Sequence, residues 1–444
     1  MRWRNTNIHI SSFQVIILGF LLMILAGSLC LMLPFSTRDG QGASFMDSLF
    51  TATSAVCVTG LVVHDTATYW SAFGQAVILF LIQIGGMGVV TVAVMIAVIS
   101  GRKISLMQRS TMSDAISAPQ VGGIVRMTEF ILKTALGVEI LGALIMFPVF
   151  LKDFGFFKGI WYSVFHSISA FCNAGFDLMG IKEPYSSLTG YVSHPVINFT
   201  IMALIIIGGI GFFTWNDIRT HGRHFEKYRM QSKVALTVTA FLIIVPAIIF
   251  FFCEFSELPL KERILSALFQ SVTPRTAGFN TVDLTTISEA GLMIMMVLML
   301  IGGSPGSTAG GMKTTTVAVL FSTSLAVFQQ KDSAHFFKRR ISEEAVRNAG
   351  TVMVMYVVLF LTGGVLISYM EQIPIVTALF ETASAIGTVG LSLGATPGLG
   401  TASRLILIGL MFFGRVGGLT LIYATLSKQH TCAMKYPQEK ITVG

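Results

Sequence analysis

Leu379-Phe380-Glu381-Thr382-Ala383-Ser384-Ala385-Ile386-Gly387-Thr388-Val389-Gly390-Leu391 is semi-apolar, and ends on a glycine followed by an apolar residue. The same pattern occurs three more times. It reads Leu49-Phe50-Thr51-Ala52-Thr53-Ser54-Ala55-Val56-Cys57-Val58-Thr59-Gly60-Leu61, then Val164-Phe165-His166-Ser167-Ile168-Ser169-Ala170-Phe171-Cys172-Asn173-Ala174-Gly175-Phe176, then Leu268-Phe269-Gln270-Ser271-Val272-Thr273-Pro274-Arg275-Thr276-Ala277-Gly278-Phe279. A Phe precedes the Gly by ten residues in copies one, two and four, and by nine in copy three.

Each copy lies between two apolar stretches. Eight stretches approach the roughly 20 apolar residues that cross a bilayer. They fall near 13–33, 75–99, 130–151, 196–214, 234–254, 290–301 continuing into 314–328, 350–370 and 403–426. The segments between them, 44–56, 158–171, 261–273 and 374–386, are too short to span and suit re-entrant helices, which need protein around them. A second pattern recurs downstream at Ile84-Gly85-Gly86-Met87-Gly88, Ile207-Gly208-Gly209-Ile210-Gly211, Ile301-Gly302-Gly303-Ser304-Pro305-Gly306 and Gly414-Arg415-Val416-Gly417-Gly418. These glycines serve either close helix packing or function. The expected fold is an all-α polytopic membrane protein of eight spans in four direct repeats. The repeats cover 10–100, 130–215, 233–328 and 350–426, with a tail at 427–444.

Composition agrees. Of 444 residues, 53% are hydrophobic and 12% charged, too few charges to coat soluble domains. Placing the termini and loops 100–133, 215–233 and 329–349 on one side gives it 20 Lys/Arg and 8 Asp/Glu, against 8 and 13 opposite. The basic side is cytoplasmic. The +8 net charge is then an orientation signal, and a nucleic-acid partner is not implied. The stretch Phe13 to Leu33 reads as a span, not a cleavable signal. Five cysteines show no CxxC or metal spacing.

A short helix entering from the outer face points its partially negative C-terminus into the membrane, which favours a cation. Gly60, Gly175, Gly278 and Gly390 permit dihedrals that turn carbonyls toward an axis. Four such loops form a carbonyl ring that replaces a cation's water shell. The sixth span is interrupted by Gly302-Gly303-Ser304-Pro305-Gly306-Ser307-Thr308-Ala309-Gly310-Gly311-Met312-Lys313. Pro305 and the glycines cannot continue a helix cheaply. Gly306 and Gly311 have phosphate-loop spacing, but Met312 separates Lys313 from the second glycine. Arg415, a charge at mid-bilayer, should face the pore or a partner group. In a cation path it repels ions; it also can tie helices through carbonyls of 304–311. Lys313 either neighbours it or snorkels.

These loops resemble those of the Ktr/Trk/HKT superfamily of potassium transporters. Residues 10–426 resemble a KtrB-type membrane subunit. The resemblance implies four hairpins that imitate a tetrameric potassium channel, with one Gly per filter loop. The filter would comprise Val58, Thr59 and Gly60; Asn173, Ala174 and Gly175; Thr276, Ala277 and Gly278; and Thr388, Val389 and Gly390, with potassium at their carbonyls. Only Thr388-Val389-Gly390 approaches a potassium-channel sequence. In the plant branch, Ser in place of the first-loop Gly goes with sodium transport, so Gly60 favours potassium. Residues 302–313 would be the family's intramembrane gate loop, and Arg415 its last-hairpin arginine. The resemblance further implies a homodimer in the cell membrane, on a cytosolic KtrA-type ring that binds ATP or ADP and NAD-type nucleotides. No organic cofactor belongs to this chain, and sodium coupling stays open.

Other residues read as supports. Arg275 is expected to brace the third loop through an acid such as Glu381. Asn173 offers its amide oxygen as ligand or as brace. His64, His166 and His194 are isolated and read as structural. Glu139 is expected to find a hydrogen-bond partner, the sharper alternative being a proton or sodium relay. A secondary transporter predicts two inverted halves, where four direct repeats about 103–115 residues apart occur. An intramembrane enzyme needs paired acids, His–Glu metal spacing or a Ser/His dyad, and the spans hold none.

Overall fold

The computed structural model describes residues 11–89, 91–92, 111, 123–425 and 439. In chain order the helices are α1 (Ser12–Leu31), α2 (Phe45–Val56), the single turn α3 (Thr66–Tyr69), α4 (Ala72–Met87), α5 (Ile124–Phe154), α6 (Phe156–Phe171), α7 (Pro195–Gly209) and α8 (Phe212–His221). Then follow α9 (Met230–Ile249), α10 (Leu260–Val272), α11 (Glu289–Leu300), α12 (Thr314–Phe328), α13 (Glu343–Glu371), α14 (Ile375–Gly387), α15 (Thr401–Val416) and α16 (Gly418–Thr425). A two-stranded antiparallel hairpin, β1 (His335–Phe336) and β2 (Arg339–Arg340), is the one sheet among the described residues.

Among the described residues four helices are long and apolar enough to cross a membrane, or five if the bent pair α7 and α8 is one span: Ser12–Leu31, Val125–Phe154, Met230–Glu254 with its closing π-turn, and Glu343–Glu371 are the four. Their outer faces are apolar too. Leu22, Leu144, Phe241 and Val365 are each more than half exposed, a surface suited to hydrocarbon rather than water.

Each of these is followed by a short helix of 12 to 16 residues, α2, α6, α10 and α14. They coincide with the four semi-apolar segments of the sequence. Their lead phenylalanines, Phe50, Phe165, Phe269 and Phe380, are fully buried. Each anchors its helix by removing a large apolar side chain from the surface.

The helix after each short helix breaks. α4 ends at Gly88, α7 and α8 are bent by 95° around Gly211, residues 301–313 separate α11 from α12, and α15 gives way to α16 at Gly417. Gly88, Gly211 and Gly417 have φ of 87°, 95° and 89°, a conformation open to glycine that ends a helix. The sequence suggested continuity at 75–99, 196–214 and 403–426 and a break only between 301 and 314. The three single-glycine breaks are therefore a correction. The end of the stretch 75–99, most of the loop 100–129 and the tail 427–444 apart from residue 439 lie outside the described residues.

Candidate functional site

The loops after the short helices meet in a ring. Gly60, Gly175, Gly278 and Gly390 have φ of 91°, 69°, 79° and 97°. Two residues earlier, Val58, Asn173, Thr276 and Thr388 have φ of 58°, 59°, 65° and 51°. L residues seldom adopt positive φ, and the alternation turns successive peptide carbonyls toward the same side. A Cβ on Gly60 would lie 2.4 Å from Ala174 O, on Gly175 2.7 Å from Ala277 O, on Gly278 2.3 Å from Val389 O, and on Gly390 2.2 Å from Thr59 O. The circuit closes in chain order. No side chain fits at these four positions without displacing the carbonyl of the next loop.

Hydroxyls on the short helices hold the loops, and the sequence reading missed them. Ser54 Oγ accepts from Gly60 N at 3.1 Å and Ser384 Oγ from Gly390 N at 3.0 Å. Ser169 Oγ donates to Phe176 O at 2.7 Å, and Thr273 Oγ1 donates to Phe279 O. The signal was present: a Ser lies six residues before the glycine in three copies and a Thr five before it in the shorter third copy. Thr59 Oγ1 and Thr388 Oγ1 are buried in the ring region without a hydrogen-bond partner among the described residues. Buried hydroxyls of this kind fit a polar path rather than a sealed core.

The segment 301–313 packs against the ring on the side of the short helices' C-termini. An Ile301–Met312 bridge closes its neck, with Gly302 N donating to Met312 O at 2.8 Å and Thr314 N to Gly303 O at 3.0 Å. Ser304 N donates to Gly209 O at 2.9 Å, Thr308 N to Gly208 O at 3.2 Å, Gly311 N to Gly414 O at 3.2 Å, and Gly306 O accepts from Phe212 N at 2.6 Å. The loop is thereby tied to α7, α8 and α15. A Cβ on Gly310 would lie 2.1 Å from Thr388 Oγ1, so the segment reaches the ring itself.

Arg415, in the last turn of α15, donates to Thr308 O, to Gly85 O, and to Gly86 O at 3.0 Å. Its planar fork joins the loop to α4. Lys313 Nζ turns back to Ala309 O at 2.8 Å, so it closes the loop and does not snorkel. The downstream glycines give close backbone approach. A Cβ on Gly85, Gly208 or Gly414 would lie 2.1 Å from Val56 O, Phe171 O or Ile386 O respectively.

The supporting residues divide. Asn173 is a brace: its Nδ2 donates to Arg275 O and Thr276 Oγ1, each at 3.3 Å, and its Oδ1 accepts from Thr308 Oγ1 at 3.3 Å. The expected Arg275–Glu381 pair is not formed. Arg275 Nη2 donates to Thr239 Oγ1 at 3.1 Å. Glu381 is taken up by donors of its own unit, Ser392 Oγ, Leu393 N and Thr396 Oγ1. Glu139 accepts from Gln83 Nε2 through both oxygens, at 3.0 and 3.1 Å. His64 stacks on Tyr69 and lies 3.3 Å from Asp47.

On the opposite side of the ring is a cavity of about 410 Å³, floored by the four glycines and bordered by Asp65, Asp177 and Asp283. Asp177, in the connection beyond α6, has its pKa pushed up to about 7, first by burial and further by Asp65, against a lowering bond from Met179 N. Asp65 joins two units: its Oδ1 accepts from Ala67 N and Thr68 N, and its Oδ2 from Tyr185 N at 3.0 Å. Among the described residues no group of three or more His, Cys, Asp or Glu is placed to hold a metal ion.

Long apolar helices around a polar ring of backbone define a membrane transport protein. The chain belongs to the TrkH family, cation transport proteins, whose profile matches residues 4–434. It is 41% identical over 447 residues to the potassium/sodium uptake protein NtpJ of Enterococcus hirae, covering 98% of each chain. It is 38% identical over 437 residues to the Ktr system potassium uptake protein B of Bacillus subtilis, covering 97% of this chain and 96% of that one. Its fold is similar to the crystal structure of the potassium transporter TrkH from Vibrio parahaemolyticus. The TM-score is 0.75 at 20% identity, over 96% of this chain and 87% of that one.

Proposed function

We propose that the chain carries potassium across the cell membrane along the axis of the four-glycine ring. The observation that carries this reading is the closed circuit in which each glycine abuts the carbonyl before the next. Carbonyls of Thr59, Ala174, Ala277 and Val389, with those of Val58, Asn173, Thr276 and Thr388, then replace the ion's hydration shell. The short helices add their partially negative C-termini beneath the ring. The chain is organised as four hairpins of eight spans, three of the outgoing spans being kinked at a single glycine, with both termini cytoplasmic.

Residues 302–313 act as the gate. The segment reaches the ring where Gly310 meets Thr388, so an ion can pass only when it moves aside. Arg415 holds it closed through Thr308 O and adds a positive charge beside the path. Regulation enters from the cytosolic side, where the relative from Bacillus subtilis is named as part of a Ktr system. A homodimer seated on a nucleotide-binding ring would pull on α12 and α8, the helices joined to the loop. Sodium is the second candidate ion, favoured by the name of the Enterococcus hirae relative.

The test is potassium and sodium uptake in a potassium-starved strain that lacks its own uptake systems. Wild type, Gly60→Ser and a 304–312 deletion are compared, with a regulator supplied. Wild type restores potassium uptake, Gly60→Ser loses preference for potassium, and the deletion leaks. Absence of potassium uptake by wild type contradicts the reading.

A further inference from the structure

Each short helix carries a different residue directly after its lead phenylalanine: Thr51, His166, Gln270 and Glu381. All four are buried. In two units this side chain reaches the limb that leaves the ring, at the third residue after the loop glycine. His166 Nδ1 lies 2.7 Å from Tyr162 O, and Leu178 N donates to His166 Nε2 at 3.3 Å. A carbonyl on one side and an N–H on the other fix the neutral ring with its proton on Nδ1. Glu381 Oε1 accepts from Leu393 N at 3.0 Å and Ser392 Oγ at 2.6 Å, and its Oε2 from Thr396 Oγ1 at 2.5 Å.

The other two units lack this tie. Gln270 is matched in register by Thr281, yet neither amide atom of Gln270 nor Thr281 Oγ1 has a hydrogen-bond partner among the described residues. In the first unit no bond joins Thr51 to Val63. Ring order follows chain order. Loops two and four, which carry this tie, therefore face each other across the axis, and loops one and three, held by Ser54 and Thr273 but lacking it, form the other diagonal.

We propose that the residue after the lead phenylalanine is a positioning residue, and that Glu381 and His166 set cation discrimination by holding one diagonal of the ring at fixed width. This rests on the reading of the ring as the ion path. A carbonyl ring free to contract accommodates a smaller cation as well as a larger one, whereas a ring held open favours the larger. Glu381 holds most firmly, because a carboxylate accepts from all three donors and bonds to a charged acceptor are the strong ones. The sequence hides this role, since the four residues share no side-chain type and only their register is common.

The test is the ratio of potassium to sodium uptake in the same strain, with membrane-inserted protein measured by size-exclusion chromatography in detergent. Glu381→Gln puts an NH2 group where an acceptor stood, and the ratio falls about tenfold at unchanged protein level. Gln270→Glu replaces the amide NH2 by a second carboxylate oxygen, so both terminal atoms can accept from Thr281 Oγ1, and the ratio rises about threefold. Glu381→Asp, which keeps the carboxylate, falls less than Glu381→Gln. If Glu381→Gln fails to fold, Gln270→Glu alone decides. Ratios unchanged in the folded variants, with wild type transporting potassium, overturn the positioning role only. A wild type that transports no potassium overturns the ion-path reading and this inference with it.

Discussion

The guanidinium of Arg415 donates to the carbonyl of Thr308, and the hydroxyl of that threonine donates to Phe171 O at 3.0 Å. One residue of the 301–313 segment is thus clamped between the last turn of α15 and the end of α6. Arg415→Ala removes the first half of the clamp and a positive charge beside the path. Saturating potassium uptake is expected to rise roughly tenfold, the equivalent of ~1.4 kcal/mol of lost anchoring. Quantifying transport against membrane-inserted protein checks it. Loss of folded protein with no change in rate per molecule would remove Arg415 from gating.

Arg415→Lys should be intermediate. Lysine keeps the charge but lacks the planar fork that serves Thr308, Gly85 and Gly86 together. A rate equal to that of Arg415→Ala would assign the whole effect to bonding geometry. A wild-type rate would assign it to charge.

Thr308→Val deletes the hydroxyl and keeps the carbonyl that Arg415 uses. The bonds to Phe171 O and Asn173 Oδ1 are lost, worth about 1 kcal/mol net. Uptake per molecule should rise by roughly fivefold, less than for Arg415→Ala. A fall in rate would indicate that the hydroxyl helps the ion pass.

Asp177 gives a pH dependence. It borders the cavity over the ring, and burial pushes its pKa up to about 7. It is protonated below that value and ionised above it. Raising the external pH from about 6 to about 8 adds a negative charge that concentrates cations at the mouth. The KM for potassium should fall, and Asp177→Asn should remove the dependence. A variant that keeps the full pH profile would point to another group, with Asp65 and Asp283 the neighbouring acids.

Much of the fold was legible because the decisive pattern is local and fourfold. The phenylalanine-to-glycine spacing located α2, α6, α10 and α14. The break at 301–313 was legible too, since Pro305 and its glycines cannot be helical. The bends at Gly211 and Gly417 were not, because the glycines of 207–211 and 414–418 read equally well as close helix packing within continuous spans. Arg275 illustrates a further limit. Charge suggested Glu381 as partner, but Glu381 finds Ser392, Leu393 N and Thr396 in its own unit. The bracing hydroxyls Ser54, Ser169, Thr273 and Ser384 were in register but chemically ordinary, and their role appears once the loops turn back over their own helices.

Anomalous diffraction from crystals in which potassium is replaced by rubidium or thallium tests the glycine ring as the ion path most directly. A peak is expected on the axis among Gly60, Gly175, Gly278 and Gly390, weakened in Gly60→Ser. A transport-competent protein whose heavy-ion density lies elsewhere, with none in the ring, would contradict it.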